Sequence, residues 1–199
     1  MRLSILQYGD PILRAKGQQI DKIDNRIREL AQNMLETMRA ANGIGLAAQQ
    51  VGEALQLTVL DISQVEDRPS TMKLNGEDVD SNAAMPLVLI NPLIIRSEGS
   101  AVGTEGCLSF PEITGEIERA ESVTVRAQTL ENKTIEIEAT GLLARALQHE
   151  ADHLNGILFI DRMSSAAKAS VSSRLKRLQK ETRRGRVKDR QSRAIEAAL

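Results

Sequence analysis

Both histidines of this chain stand four residues apart, in the stretch Gln148-His149-Glu150-Ala151-Asp152-His153. Residues at that spacing share a helix face, so a helix over residues 141–154 points both imidazoles the same way. Two neutral imidazoles so placed can share one metal ion, and Glu150, beside the first, can handle a proton on a water that the ion activates. This HExxH spacing constrains the fold more than any other feature, because it requires a helix that carries chemistry and an open approach for water. The same spacing also arises by chance on amphipathic helices, where histidines only cap or cross-link a surface. The rest of the chain decides between the two.

At 199 residues the chain suits one domain with a sizeable core. It has no Trp, one Tyr and two Phe, so that core is built from Leu, Ile, Val, Ala and Met. No apolar run approaches the ~18 residues of a membrane span, and Met1-Arg2-Leu3-Ser4-Ile5-Leu6 turns polar too soon for a signal peptide. A single cysteine excludes an internal disulfide and suits a reducing, cytoplasmic setting. The near-zero net charge hides a split: from Ser165 onward 11 Lys and Arg face 3 Asp and Glu, leaving 15 basic and 24 acidic residues elsewhere. An acidic body with a basic tail points to a tail that meets nucleic acid or another polyanion.

Residues 3–8 read as a short strand or extended arm, ended by a turn at Asp10-Pro11. Asp24 caps a helix over about 25–41, with Ile27, Leu30, Ala31, Met34, Leu35 and Met38 on one face, and Asn42-Gly43 stops it. Gly43-Ile44-Gly45-Leu46-Ala47-Ala48-Gln49-Gln50 is either a helix stop with tight packing or a thin wall where backbone approaches a ligand. A strand is expected at 56–62, and a surface loop or short hairpin at 63–85. Leu87-Val88-Leu89-Ile90 reads as a buried strand that Asn91-Pro92 breaks and residues 93–96 resume. Alternating Val123, Val125, Ala127 and Ile135, Ile137, Ala139 predict an antiparallel hairpin of segments 119–128 and 133–139. The HExxH helix stops at Asn155-Gly156, and from about Ser165 the tail has helical composition that frays into charge after Leu178.

A lone cysteine is most often an inert small hydrophobe. Cys107, however, follows Gly106 and precedes Pro111, at an irregular break in a β region, where side chains enter sites rather than cores. A thiolate with two imidazoles makes a three-ligand metal site with one position open for water, as catalytic sites have.

These residues resemble a known family, peptide deformylase, which removes the formyl group from new proteins. Its three motifs stand here in order: Gly43 to Gln50 as GxGLAAxQ, Glu105 to Ser109 as EGCLS, and Gln148 to Gly156 as QHExDHLxG. Asp10-Pro11-Ile12-Leu13-Arg14 is similar to its N-terminal pattern, and the resemblance covers about residues 3–163. It implies that Cys107, His149 and His153 bind the metal and that Glu150 is general base and acid. It also implies that the Gln50 amide and the Leu108 backbone N–H hold the oxyanion, and that Gly45 meets the substrate backbone. Ile44 and Leu142 are the candidates for the methionine pocket. The implied cofactor is one divalent ion, iron(II) ahead of zinc or nickel. The implied partners are N-formylmethionyl nascent peptides, with no membrane.

One departure stands out: where family members often carry Arg or another polar residue after EGCLS, this chain has Glu112-Ile113-Thr114-Gly115. The basic tail resembles a C-terminal helix with which some members dock at the ribosome; it also reads as a solvated charged helix. The expected organisation is a catalytic domain over 1–163 and a basic helix or tail over 164–199. The expected fold is α+β, antiparallel or mixed sheets around the HExxH helix, with an N-terminal and a C-terminal helix. Two other functions stay open, a zinc-dependent peptidase and an inactive ribosome-binding homologue. The first lacks a third histidine, and the intact Glu150 and Gln50 speak against the second.

Overall fold

The computed structural model describes the backbone of residues 1–196 and the side chains of residues 1–187; the end of the expected tail lies outside the described residues. The first residues form the extended arm, not a strand, tied to the body through Leu6 N–H to the Gln50 carbonyl (2.8 Å) and Tyr8 N–H to the Ser109 carbonyl (2.9 Å). Asp10 Oδ1 accepts from Ile12 N–H at 3.1 Å and starts a 3-10 turn, Pro11–Arg14. Helix α1 (Asn25–Ala40) begins where Asp24 Oδ1 accepts the Ile27 N–H at 3.0 Å, and it buries Ile27, Ala31, Met34, Leu35 and Met38. Asn42, at φ 54°, ends it. Then come β1 (Gly45–Ala47), a 3-10 turn (Ala48–Val51), β2 (Leu57–Leu60), and a small hairpin of β3 (Met72–Leu74) and β4 (Glu77–Val79). Next are β5 (Leu87–Glu98), β6 (Ala101–Gly106), β7 (Thr114–Arg119), β8 (Ser122–Gln128) and β9 (Thr134–Thr140). Helix α2 (Gly141–Leu154) and helix α3 (Ser165–Glu196) complete the α+β fold.

Seven strands form one sheet in the order β1-β2-β5-β8-β9-β3-β4, and β6 with β7 forms a second. Every one of these strand pairs is antiparallel. The period-two pattern acts as expected: Val123, Val125 and Ala127 stand opposite Ala139, Ile137 and Ile135. That buried face receives Leu142, Leu143, Ala146 and Leu147 of α2, each large side chain stabilising by roughly 1.5–3 kcal/mol. The polar face of α2 turns to the β6–β7 hairpin, where Arg145 reaches the carbonyls of Ala101 and Ile117 at 2.8 and 2.9 Å. Helix α2 is thus held by apolar contacts on one side and by hydrogen bonds on the other.

Three local expectations change. Strand β5 continues through Asn91-Pro92, because bulges at Ile90/Leu93 and Ile94/Arg96 absorb the missing proline N–H. Asn91 (φ 50°) braces that bulge, its side chain bonding both the N–H and the carbonyl of Ile20 at 2.9 Å. The segment expected as strand 119–128 is divided between the end of β7 and β8. Helix α3 runs unbroken past Leu178 to Glu196; its Val171, Leu175 and Leu178 pack beside Phe110, Ile117 and Phe159.

Candidate metal centre

Helix α2 brings the rings of His149 and His153 to a centroid distance of 4.9 Å. Cys107 lies just beyond the end of β6, in a turn closed by Phe110 N–H to the Cys107 carbonyl at 2.8 Å. That turn aims the thiol at the helix: Sγ lies 3.2 Å from His153 Nε2. The ligand atoms of Cys107, His149 and His153 all fall within 4.8 Å of one another. Cys107, His149 and His153 would hold one ion there, through metal–sulfur bonds of about 2.3 Å and metal–nitrogen bonds of about 2.0–2.1 Å. The donor chemistry fits as well, since a soft thiolate with two imidazoles suits zinc or iron.

A carboxylate orients the His149 ring, whereas the Nδ1 of His153 is buried without a hydrogen-bond partner among the described residues. His149 Nδ1 lies 3.0 Å from Glu105 Oε2, which leaves Nε2 for the site. Burial pushes the His149 pKa down, but hydrogen bonding to Cys107 and Glu105 outweighs it and lifts the pKa to about 10. His153 is 1 % exposed, and burial together with the charge of His149 keeps its pKa well below the usual range, in the neutral form that ligates.

Glu105 anchors a chain of buried charges. Its two oxygens accept from Arg119 Nε and Nη2, both at 2.9 Å, and Oε1 also accepts from Arg145 Nη1 at 2.8 Å. Arg119 continues to Asp152, inside the HExxH stretch, and Asp152 also receives Arg162. Burial alone raises the Glu105 pKa, yet hydrogen bonds from His149 and Arg119 hold its carboxyl well below the usual carboxylate range. The reading of the sequence gave Glu105, Arg119 and Arg145 no role. Glu105 could have been noticed, standing two residues before Cys107 in the same motif; nothing in the sequence marks the arginines.

Glu150 is 3 % exposed. Its Oε2 lies 3.4 Å from Thr58 Oγ1, which is itself 3.0 Å from the Leu46 carbonyl. Burial raises the Glu150 pKa to about 7, against the opposing pull of His149 and Thr58. A Cβ at Gly45 would overlap the Glu150 carboxylate, so this glycine makes room for the acid itself. On the other side, Gln50 is oriented without ambiguity: Oε1 accepts the Ala47 N–H at 2.9 Å. The amide NH2 must then face Ser109 Oγ (3.1 Å) and Cys107 Sγ (3.4 Å). Among the described residues the Leu108 N–H makes no hydrogen bond to protein. A cavity of about 520 Å³ opens over these groups, with Ile44, Gly45, Gln50, Cys107, Leu142 and Glu150 in its walls. All nine residues singled out in the sequence therefore gather here, His153 sitting beneath the cavity rather than in its wall.

Comparison with known proteins identifies the family. The family model for polypeptide deformylase matches residues 2–169. A peptide deformylase of Opitutus terrae is 44 % identical over 185 residues, covering 92 % of this chain and 96 % of its own. Among solved structures, a plant peptide deformylase superposes with TM-score 0.78 at 37 % identity, covering 90 % of each chain. The peptide deformylase of Thermotoga maritima superposes with TM-score 0.70 at 37 % identity, covering 82 % of this chain and 99 % of its own. Matched over most of its length by the family model, by this relative and by these structures, the chain belongs to the peptide deformylase family.

Proposed function

We propose a residue-by-residue account of how this enzyme removes the N-formyl group from the initiator methionine of newly made polypeptides and releases formate. One observation carries it: a three-ligand cluster, the buried carboxyl of Glu150 and an oriented amide donor meet at a single cavity. Cys107, His149 and His153 would hold one divalent ion, iron(II) in first place and zinc or nickel as substitutes. When bound, the ion supplies an acidified water and a Lewis acid for the formyl carbonyl. Glu105 keeps the His149 ring aimed and its free nitrogen basic. Glu150 takes the proton of the attacking water and returns it to the nitrogen of the leaving amine, a task that a pKa near 7 suits. Gln50 Nε2 and the Leu108 N–H donate to the carbonyl oxygen as it gains negative charge; one such donor is worth about 10²–10³ in rate.

Gly45 lies on β1, the edge strand of the main sheet, whose outer side has no strand partner among the described residues, so that an extended peptide can align there. Ile44 and Leu142 form apolar wall for the methionine side chain. No helix of the described residues is long and apolar enough to cross a membrane, and we place the enzyme in the cytoplasm, where formylated chains emerge. With residues 1–163 as the catalytic unit, α3 is its docking arm for the ribosome. Lys176, Lys180, Arg183 and Arg184 recur along one exposed side, a spacing that suits phosphate contacts with RNA.

The test is formate release from a formyl-Met tripeptide. A chelator abolishes it, and iron(II) added without oxygen restores it. Metal-loaded, folded protein that releases no formate would contradict the account.

A further inference from the structure

One part of the cavity wall has no task in the reaction. It is Arg68, carried on the segment between β2 and β3. This segment is fastened to the start of α2 immediately after Arg68. Ser70 Oγ accepts the Leu143 N–H at 3.0 Å, doing the capping that Thr140 does not, and Thr71 N–H donates to Thr140 Oγ1 at 3.2 Å. The Pro69 carbonyl occupies the space that a Cβ on Gly141 would need, and Gly141 has φ +63°. Arg68 therefore stands one residue before a segment pinned to the N-terminus of α2, and it lines the same cavity as Leu142.

The charges around the mouth single this residue out. The other guanidinium of the cavity, Arg145, is occupied by Glu105 and by the carbonyls of Ile117 and Ala101. Arg68 is exposed and makes no ion pair among the described residues. Glu112 and Thr114 also line the cavity, Arg174 donates to the Glu112 carbonyl at 3.1 Å, and Glu66 and Asp67, which precede Arg68 in the chain, make no ion pair with it among the described residues. Arg68 shares this cavity with Ile44 and Leu142, which puts it within the space open to a peptide whose methionine lodges against those two residues.

Resting on the deformylase reading above, we infer that Arg68 is a specificity-determining residue that pairs with a carboxylate in the residues just after formyl-methionine, so that acidic nascent peptides are favoured. The pair forms at an exposed mouth, so its effect is modest, about 2- to 5-fold in kcat/KM, and salt screens it.

The test uses the metal-loaded enzyme and formyl-Met tripeptide amides carrying Glu, Ala or Lys at the second or third residue. The wild-type enzyme prefers Glu over Lys by about 2- to 5-fold, and higher salt compresses the ratio. Arg68→Ala levels the ratio and Arg68→Glu reverses it; because each protein is judged by its own Glu-to-Lys ratio, a loss of active fraction does not imitate the effect. A wild-type enzyme indifferent to charge or preferring Lys, or an Arg68→Ala variant that keeps the preference, overturns the inference while the deformylase reading stands. Failure of the wild-type enzyme on every peptide overturns the reading and the inference together.

Discussion

Replacing Glu105 with Gln keeps the shape of the side chain and removes one buried charge. Glu105 is 5 % exposed and its partner Arg119 only 2 %, so water cannot step in to compensate. Each Glu105 oxygen faces N–H donors: Oε1 meets Arg119 Nε and Arg145 Nη1, and Oε2 meets Arg119 Nη2 and His149 Nδ1. Whichever way the amide of Gln turns, its NH2 points at a donor. Arg119 keeps Asp152 as its one acidic partner, and Arg145 is left with backbone carbonyls. Breaking a buried pair in this way costs about 3–5 kcal/mol, a large share of the roughly 5–15 kcal/mol that holds a typical domain together. His149 also loses the carboxylate that fixes its tautomer, a change that lowers metal affinity about 10–100-fold.

Two assays separate these effects. Urea unfolding of the chelated proteins reads the ion-pair loss, and competition against a chromophoric chelator reads the metal affinity. A Glu105→Gln variant that unfolds within about 1 kcal/mol of wild type, and binds metal equally well, would refute the reasoning.

Two further outcomes follow from the same geometry. Gly45→Ala places a methyl group where the Glu150 carboxylate lies, and a shift of about 1 Å in that acid should lower kcat on the order of 10²-fold; steady-state kinetics in which only KM moves would show that the glycine serves substrate approach alone. Burial opposes ionisation of Asp161, but the Arg14 guanidinium and the Leu158 N–H lower its pKa in the folded state, so its stabilisation is full above about pH 4 and lost as pH falls through the folded value. Asp161→Asn should accordingly lower the urea midpoint at pH 7 and converge with wild type in acid, and a gap of constant size down to pH 2–3 would contradict this.

Much of the fold lies open in local pattern. The two-residue alternation of Val123, Val125 and Ala127 and of Ile135, Ile137 and Ala139 predicts β8 and β9 as an antiparallel hairpin with one face buried, and the helical face of Ile27 to Met38 predicts α1. The β6–β7 hairpin is harder to see, because polar residues such as Glu105 and Arg119 occupy its inward positions, where a strand pattern has apolar ones. Strand β5 hides its continuity behind Pro92, whose cost is met by Asn91 reaching Ile20, far away in the sequence. At the site, His149, His153 and Glu150 announce themselves by spacing, and Cys107 by its irregular β break and its motif. The arginines behind them do not, since a buried guanidinium is recognisable only once its carboxylate stands beside it. Gly45 was legible as a place of close approach, but which group approaches, the Glu150 carboxylate, required the packing of β1 against α2.

The central claim is that Glu150 moves the proton at the Cys107–His149–His153 centre, and formate release by Glu150→Ala tests it most directly. The variant is compared with wild type at equal measured iron content, prepared without oxygen, on one formyl-Met tripeptide. The account predicts that the variant keeps its metal and loses turnover by about 10²–10⁴-fold. A metal-replete Glu150→Ala variant that releases formate within about tenfold of the wild-type rate would contradict it.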